Sequence, residues 1–401
     1  MPKEAEFGRY WTGAAISSFG GAVTAVAMPV LVIQYLNASA VEVGLVNAAQ
    51  LIPYAVLGLL AGAYVDRWRR KPVLVWSSVG RAVALGLVPV LGLLGLLQPW
   101  VLVLVLLAFG SFSVFGFAAT QSLLPRLVPR NRLVIANARI DQTDATAQTA
   151  GPALGGALIG VVGAPLTIAV QAVGFLVEAL LVASIKVDEP RRSRVGRNLR
   201  AEVVDGLRCT YQHAVLGRLA VSTHVWFLAN GAAMTALSLL ALRSLDFSAA
   251  AYGLLFTLFG VAMLVGALLA PVAGSRLGSG RVVLLARAAY PLAWLLPAFA
   301  GPDNLGRILM FVGLAVLGLS AGLENSNEMG LWQTLTPDEL LGRVNGARRS
   351  INRTLAAAGA VAGGVLIGVA GDRGTLITCV VVFAVAAVIV SGVKVRNSRL
   401  G

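Results

Sequence analysis

The chain has few charged residues and almost no cysteine or histidine. Only 12% of its 401 residues are charged, while 57% are hydrophobic. With a mean hydropathy of +0.81, it carries more apolar surface than a soluble domain can bury. Its two cysteines fall in different compartments, Cys209 in a predicted loop and Cys379 inside the last apolar run, and its two histidines complete no metal pattern. We therefore expect a polytopic membrane protein with no structural disulfide, no metal and no cofactor.

Twelve apolar runs are long enough to cross a bilayer, which takes about 20 mostly apolar residues each. They predict an all-α integral membrane protein with 12 transmembrane helices in two six-helix bundles. The predicted spans are residues 12–36, 43–64, 72–96, 99–122, 138–162, 165–186, 214–241, 250–274, 281–300, 305–331, 347–370 and 373–393.

The formal net charge of +14 follows the membrane topology and gives no reason to expect nucleic-acid binding. Most cations of the predicted loops fall on one face, and the opposite face carries only Arg243, Arg307 and Arg373. By the positive-inside rule the first face is cytoplasmic. We therefore expect a multi-pass protein of the cell inner (plasma) membrane, with both termini in the cytoplasm. The charged stretch before the first span lacks a small-residue cleavage site, which predicts no signal peptide.

A polar segment interrupts the apolar pattern in the middle of the chain. It predicts an N-terminal six-helix bundle over residues 1–186, a cytoplasmic linker over 187–213 and a C-terminal six-helix bundle over 214–401. Apolar residues of the linker recur at helical spacing up to Tyr211, which predicts an amphipathic helix on the inner membrane surface. A shift of 208 or 209 residues also superposes glycines of the two halves, for example Gly44 on Gly253, so the chain reads as a tandem repeat.

The segment between the second and third predicted spans reads G-A-Y-V-D-R-W-R-R-K-P-V-L. Charges at this density cannot lie in hydrocarbon, so we expect a short loop at the membrane face. The segment resembles the signature loop of the major facilitator superfamily, except that Arg69 stands where the family usually has glycine. The matching positions are Gly62, Asp66, Arg67, Arg70, Lys71 and Leu74.

The resemblance implies a conformational latch between the two halves. Asp66 would face the start of the eleventh span, where Arg348 and Arg349 could bind it in the outward-facing state. The alternative is that the cations from Arg67 to Lys71 only anchor the topology.

The fifth predicted span contains the sequence A-G-P-A-L-G-G. Proline kinks a helix, and glycines at this spacing permit a close helix crossing. The pattern resembles the antiporter motif of drug–proton exchangers at Gly151, Pro152, Gly155 and Gly156. The segments before the fifth and eleventh spans resemble those of the macrolide-efflux and enterobactin-exporter branch. Export is what this resemblance implies, and packing alone is the alternative.

Ionisable residues inside spans are costly and point to function. Glu324 and Glu328 lie one turn apart on the tenth span, and two carboxylates at this spacing disfavour joint ionisation, as a proton carrier requires. Pairing with Arg81 or Arg287 is the alternative for Glu324. Glu178 on the sixth span and Asp144 on the fifth are the other proton-coupling candidates, with ion pairing as their alternative role.

A substrate site should be lined by aromatic and small polar groups. The candidates are Phe112 and Phe115 on the fourth span, with Trp226 and Asn230 on the seventh. Phenylalanines at such spacing also pack or face lipid, and His224 on the seventh span can equally be a packing residue. The bulk of these side chains fits an amphiphilic, partly aromatic substrate better than a sugar.

Together these features predict a secondary active transporter, not an enzyme. The resemblance implies export of a hydrophobic or amphiphilic small molecule, a drug or secondary metabolite, in exchange for protons by alternating access. The expected partners are the small-molecule substrate, the proton and membrane lipids, with no nucleic acid, and we expect a monomer. A siderophore exporter or small-nutrient importer of the same fold stays open, as does a non-transporting membrane receptor or partner-binding protein.

Overall fold

The computed structural model describes residues 2–129, 132–187, 199–396 and 398. Within the helices it describes no side chains for residues 2–4, 59–64, 66–67, 134, 199–203 and 393–394. Only the helical backbone is therefore described for three predicted latch residues, Gly62, Asp66 and Arg67, and residues 188–198 of the predicted linker lie outside the described residues.

Every regular element in these ranges is a helix, which confirms the all-α class. The helices are α1 (Pro2–Val30), α2 (Ala40–Ala49), α3 (Ile52–Arg67), α4 (Arg70–Leu93), α5 (Pro99–Leu127), α6 (Leu133–Val162), α7 (Ala164–Ser184), α8 (Leu199–Gln212), α9 (Leu216–Leu239), α10 (Ala249–Leu277), α11 (Ser279–Ala298), α12 (Asn304–Leu335), α13 (Asp338–Val390) and α14 (Val393–Arg396).

Ten helices in the described ranges are long and apolar enough to cross a membrane. Helix α6, which covers the predicted fifth span, is not among them, because its polar and small residues lower its hydropathy. The predicted eleventh and twelfth spans both lie in α13, which consists of two helical stretches separated by a kink at Gly371, where φ is 72° and ψ is 174°. The count of 12 spans therefore stays a prediction at these two places.

The second predicted span and the signature segment differ from expectation. The span is built from two helices, α2 and α3, with Gln50 and Leu51 between them. The predicted loop is shorter than expected, because α3 continues to Arg67 and α4 begins at Arg70. Cations are favourable in the last turn of a helix and proline in the first, so both helices extend into the charged segment.

The described chain divides into two compact units. Unit 1 comprises Met1–Ala38, Ala49–Arg197 and Ser248–Leu254, and unit 2 comprises Ser39–Ala48, Asn198–Phe247 and Leu255–Gly401. Each unit thus includes a short segment from the other half of the sequence. The domain boundaries at 186 and 213 stay predictions.

The backbone of the two halves repeats at the spacing seen in the sequence. Helix α1 ends in a π-helical segment, Leu31–Tyr35, and α9 ends in a second one, Leu240–Ser244. Asn37 and Asp246, the two described non-glycine residues with positive φ, follow these segments at φ 49° and 52°. Corresponding positions are 209 residues apart, so the repeat extends to unusual local backbone geometry.

Candidate functional site

A buried arginine in unit 2 is held by two glutamates. Arg287 on α11 is 3% exposed, and Glu324 and Glu328 on α12 are 4% and 8% exposed. Arg287 donates through Nε to Glu324 Oε1 and through Nη2 to Glu328 Oε2 at 3.0 Å. Because an unpaired charge is costly to bury, the three side chains depend on one another. The predicted pairing of Glu324 with a basic residue is therefore present in the structure, with Arg287 as the partner.

Further groups complete the hydrogen bonds of Glu328. Its Oε1 accepts from Thr223 Oγ1 and from Trp332 Nε1, both at 3.0 Å. Arg287 Nη2 donates to the same threonine hydroxyl at 2.9 Å, so Thr223 joins the two charged groups. We call Arg287, Glu324 and Glu328, with Arg348 described below, the acid cluster.

Arg348, one of the predicted latch residues, is bound inside unit 2. Its Nη1 lies 3.6 Å from Glu328 Oε1, and its guanidinium carbon lies 4.5 Å from the centre of the Trp332 ring. A cation over an indole ring is attracted to it electrostatically. The acid cluster therefore contains two arginines and two glutamates, and its charges balance when both glutamates are ionised. Arg349, the neighbouring latch candidate, is exposed.

A histidine links three helices beside this cluster. His224 on α9 contacts Tyr211 Oη of α8 through Nε2 at 2.7 Å, and its Nδ1 lies 2.7 Å from Asn352 Oδ1 of α13. His224 is 9% exposed, so both ring nitrogens are satisfied inside the protein. These contacts agree with the packing role, one of the two alternatives predicted for His224.

Trp226, a predicted substrate residue, is the centre of an aromatic group in unit 2. Its ring lies 5.5 Å from Tyr290, 6.2 Å from Phe383 and 5.1 Å from Phe227, measured between centroids. The Arg287 guanidinium carbon lies 5.9 Å from the Trp226 ring. The indole Nε1 of Trp226 is buried and has no hydrogen-bond partner among the described residues. Asn230 lies one turn further along α9 and is half-buried.

Unit 1 contains a smaller charged group. Arg81 on α4 donates through Nη2 to Glu178 Oε2 of α7 at 3.3 Å, and Ser17 Oγ donates to the same oxygen at 2.7 Å. The guanidinium of Arg81 lies 4.2 Å from the Phe175 ring centre. Glu178 is therefore paired with a basic group, one of the two roles predicted for it. Asp144 lies within electrostatic range of the buried Tyr10.

Glycines of the predicted antiporter motif pack directly against other helices of unit 1. A Cβ added at Gly155 would lie 2.8 Å from Val23 O, and one at Gly156 would lie 2.6 Å from Ala249 O. At Gly151 an added Cβ would collide with the side chain of Ala22. The packing role predicted for these glycines is thus present, and Pro152 is buried inside α6.

The remaining latch and substrate candidates lie in unit 1. Lys71 donates through Nζ to Ile185 O at 2.7 Å, and Arg70 is 4% exposed. Phe112 and Phe115 both pack against Trp76, with ring centres 5.5 Å away in each case. Within unit 1 these phenylalanines therefore belong to an aromatic cluster, which matches the packing alternative.

Sequence reasoning missed the neutral partners of Glu328 and of His224. Thr223, Trp332, Tyr211 and Asn352 were not predicted, although two of them carry a signal in hindsight. Trp332 lies four residues after Glu328, and Asn352 lies four residues after Arg348, so each pair shares one face of a helix. Among the described residues no group of three or more histidines, cysteines or acids is arranged to hold a metal ion.

Residues 3–400 match the major facilitator family described as transmembrane secretion effectors. The chain belongs to this family. Over 368 residues it is 29% identical to multidrug efflux pump Tap of Mycolicibacterium fortuitum, which covers 89% of this chain and 88% of that protein. Over 348 residues it is 24% identical to macrolide efflux protein A of Streptococcus pyogenes, with 84% of each chain covered.

Solved structures confirm the fold of this secretion-effector family member. The nucleoside transporter NupG superposes with a TM-score of 0.75 at 14% identity, over 96% of this chain and 98% of that one. At such identity the likeness shows the fold alone. The family and the apolar helices together make the chain a multi-pass membrane transporter, as the resemblance in the signature segment and the antiporter motif predicted.

Proposed function

We propose that this transporter exports a hydrophobic or amphiphilic small molecule in exchange for protons. The observation that carries the proposal is the sharing of buried Arg287 by two glutamates one turn apart on α12. The names of the relatives, a multidrug efflux pump and a macrolide efflux protein, support a drug-like cargo. We place the protein in the cell inner membrane with both termini in the cytoplasm, on the distribution of its cations.

Glu324 is the better proton carrier of the two glutamates. Glu328 accepts hydrogen bonds from Thr223 and Trp332 and has Arg348 beside it, and all these contacts favour its charged form. Protonation of Glu324 weakens its bond to Arg287 but leaves Arg287 bound to Glu328 and Thr223. The proton thus changes the contact between α11 and α12, while Arg287 and Arg348 share the ionised Glu328 and the cluster gains one positive charge.

The substrate side of the proposal rests on Trp226 and Asn230. A buried indole N–H without a partner costs about 1–3 kcal/mol, which a ligand with a hydrogen-bond acceptor can recover. The surrounding Tyr290 and Phe227 rings offer aromatic contact area for an amphiphilic molecule. Because the Arg287 guanidinium carbon lies 5.9 Å from the Trp226 ring centre, a molecule bound there lies close to the proton-carrying cluster.

The test is transport by purified protein in liposomes under an imposed proton gradient. The probes are erythromycin as a macrolide and ethidium as an aromatic dye, with the internal pH followed by a trapped indicator. Wild-type protein should move at least one probe and dissipate the gradient in proportion. Glu324→Gln should abolish gradient-driven movement and keep downhill movement of the probe, because Arg287 retains Glu328.

The matched control is Glu339→Gln, the same chemical change on the exposed first turn of α13. It should leave transport unchanged. Movement of a probe by wild type without any proton flux contradicts proton exchange. If Glu324→Gln still moves a probe and dissipates the proton gradient as the wild type does, the proton is not carried by Glu324.

A further inference from the structure

Within unit 2, polar contacts hold helix α8 against α9 and α13. One of these contacts is made by His224, the residue that follows Thr223 in the chain. Arg343 Nη1 of α13 lies 3.4 Å from Asp205 Oδ2 of α8, and Gly206 of α8 packs against Arg343. Tyr211, six residues after Asp205 on α8, contacts His224 through its hydroxyl. The amphipathic helix predicted from the sequence thus contacts both α9 and α13.

We propose that His224, held between Tyr211 and Asn352, is a positioning residue that keeps Arg348 against Glu328. The proposal deepens the proton-exchange function and rests on it, because it assigns to α8 a part in setting the protonation of the acid cluster. We call Tyr211, His224 and Asn352 the positioning chain.

The hydrogen-bond directions in the positioning chain are consistent with a neutral imidazole. Asn352 Oδ1 can only accept, so Nδ1 carries a proton and donates to it, and in a neutral ring Nε2 then accepts from the Tyr211 hydroxyl. Tyr211 lies outside the membrane-spanning helices, and burial raises the pKa of its hydroxyl. The tyrosine therefore remains protonated near neutral pH and keeps its donor role.

The register of α13 connects this chain to the charged groups. Arg348 and Asn352 lie four residues apart and therefore share one face of α13. On α9, Thr223 donates to Glu328 while the next residue, His224, contacts Asn352. The contact of His224 with Asn352 therefore holds, one turn away, the same face of α13 that places Arg348 3.6 Å from Glu328.

The charged groups near His224 explain why a neutral ring suits this place. Arg348 of α13 and Glu328 of α12 both act on it electrostatically, and Arg287 of α11 donates to Thr223, the residue before His224 in the chain. Tyr211 is its neighbour from α8. A neutral imidazole bonds to both Tyr211 of α8 and Asn352 of α13, and it adds no third cation beside the two arginines.

The test follows the protonation of Glu328 itself by infrared spectroscopy of the full chain in lipid. The protonated-carboxyl band of Glu328 is assigned by its loss in Glu328→Gln and titrated with pH. Tyr211→Phe and His224→Leu loosen Arg348 from Glu328, so the band should appear at a pH higher by roughly 0.5–1 unit, a fraction of the effect of a close opposite charge. His224→Gln, which keeps one acceptor and one donor, should restore the wild-type titration.

One control variant and one independent measurement make the result specific. Tyr35→Phe removes a hydroxyl from an exposed tyrosine of unit 1 and should leave the band unchanged. Because the chain has two histidines, nitrogen NMR of histidine-labelled protein carrying His213→Gln reports His224 alone. It should show a neutral ring protonated at Nδ1, with an Nε2 signal that shifts in Tyr211→Phe.

A wild-type titration of Glu328 in folded Tyr211→Phe and His224→Leu overturns the positioning role, and so does a ring protonated at Nε2 in the wild type. Neither readout needs transport. A protein that moves no protons therefore contradicts the proposed function alone, whereas an unshifted band contradicts the positioning chain alone.

Discussion

Removing the guanidinium of Arg287 should destabilise the protein in a way that depends on pH. Arg287→Gln takes away the donors to Glu324, Glu328 and Thr223 at once. Breaking a buried ion pair from one side costs about 3–5 kcal/mol. In a domain of 150–250 residues, where 1 kcal/mol shifts the melting temperature by about 2–4 °C, this corresponds to a fall of about 6–20 °C.

The sign of the pH dependence follows from proton binding. With Arg287 absent, a buried glutamate is neutral only when it takes up a proton, whereas the unfolded chain has ionised glutamates near neutral pH. The folded variant then binds more protons than its unfolded state, so its stability decreases as pH rises. The loss of melting temperature should be small at pH 5 and large at pH 8.

The assay is thermal melting in detergent at both pH values. Arg208→Gln, which removes an exposed arginine of α8, is the control for net charge and should melt like the wild type. The double variant Arg287→Gln with Glu324→Gln leaves the balanced pair of Arg348 and Glu328 and should recover part of the loss. An equal loss at pH 5 and pH 8, or no loss at all, refutes the reasoning from buried charge.

Three further changes test the remaining sites. Asp66→Asn should slow transport in liposomes without lowering the melting temperature, and full transport rates in this variant contradict the predicted latch. Gly156→Val should lower the melting temperature because its side chain meets Ala249 O, whereas Gly160→Val should not, since nothing lies within 4 Å of a Cβ there. Trp226→Phe keeps the aromatic ring but loses the indole N–H, so substrate affinity measured by equilibrium binding should fall about 5–10-fold; an unchanged affinity removes Trp226 from the site.

The family and the fold class were predictable because they rest on local patterns. Apolar runs of span length require helices in a bilayer, and the signature segment and the glycines from Gly151 to Gly156 were read directly from the sequence. The repeat of 209 residues was visible there too, and it reappears in the positive φ of Asn37 and Asp246. Helix boundaries were less predictable. The separation of α2 from α3 was not predicted, because a hydropathy pattern does not show where a helix is interrupted.

The partners of the buried charges could not be predicted from sequence alone. Glu324 had two candidate arginines, Arg81 and Arg287, and no feature of the sequence distinguishes between them. The structure pairs Arg287 with Glu324 and Arg81 with Glu178. The choice depends on which helices are neighbours and how each is rotated, and these are properties of long-range packing.

The sequence by itself determined that this protein is helical and spans a membrane, because apolar runs of bilayer length and the placement of charges are local features, and the resemblance of two short segments implied the major facilitator type. Only the tertiary structure decided that Glu328 is surrounded by Thr223, Trp332 and Arg348, and that His224 ties α8 to this place. Buried polar groups must find partners wherever the fold brings them, and two of these contacts, Thr223 with Glu328 and Asn352 with His224, join residues more than 100 positions apart in the chain.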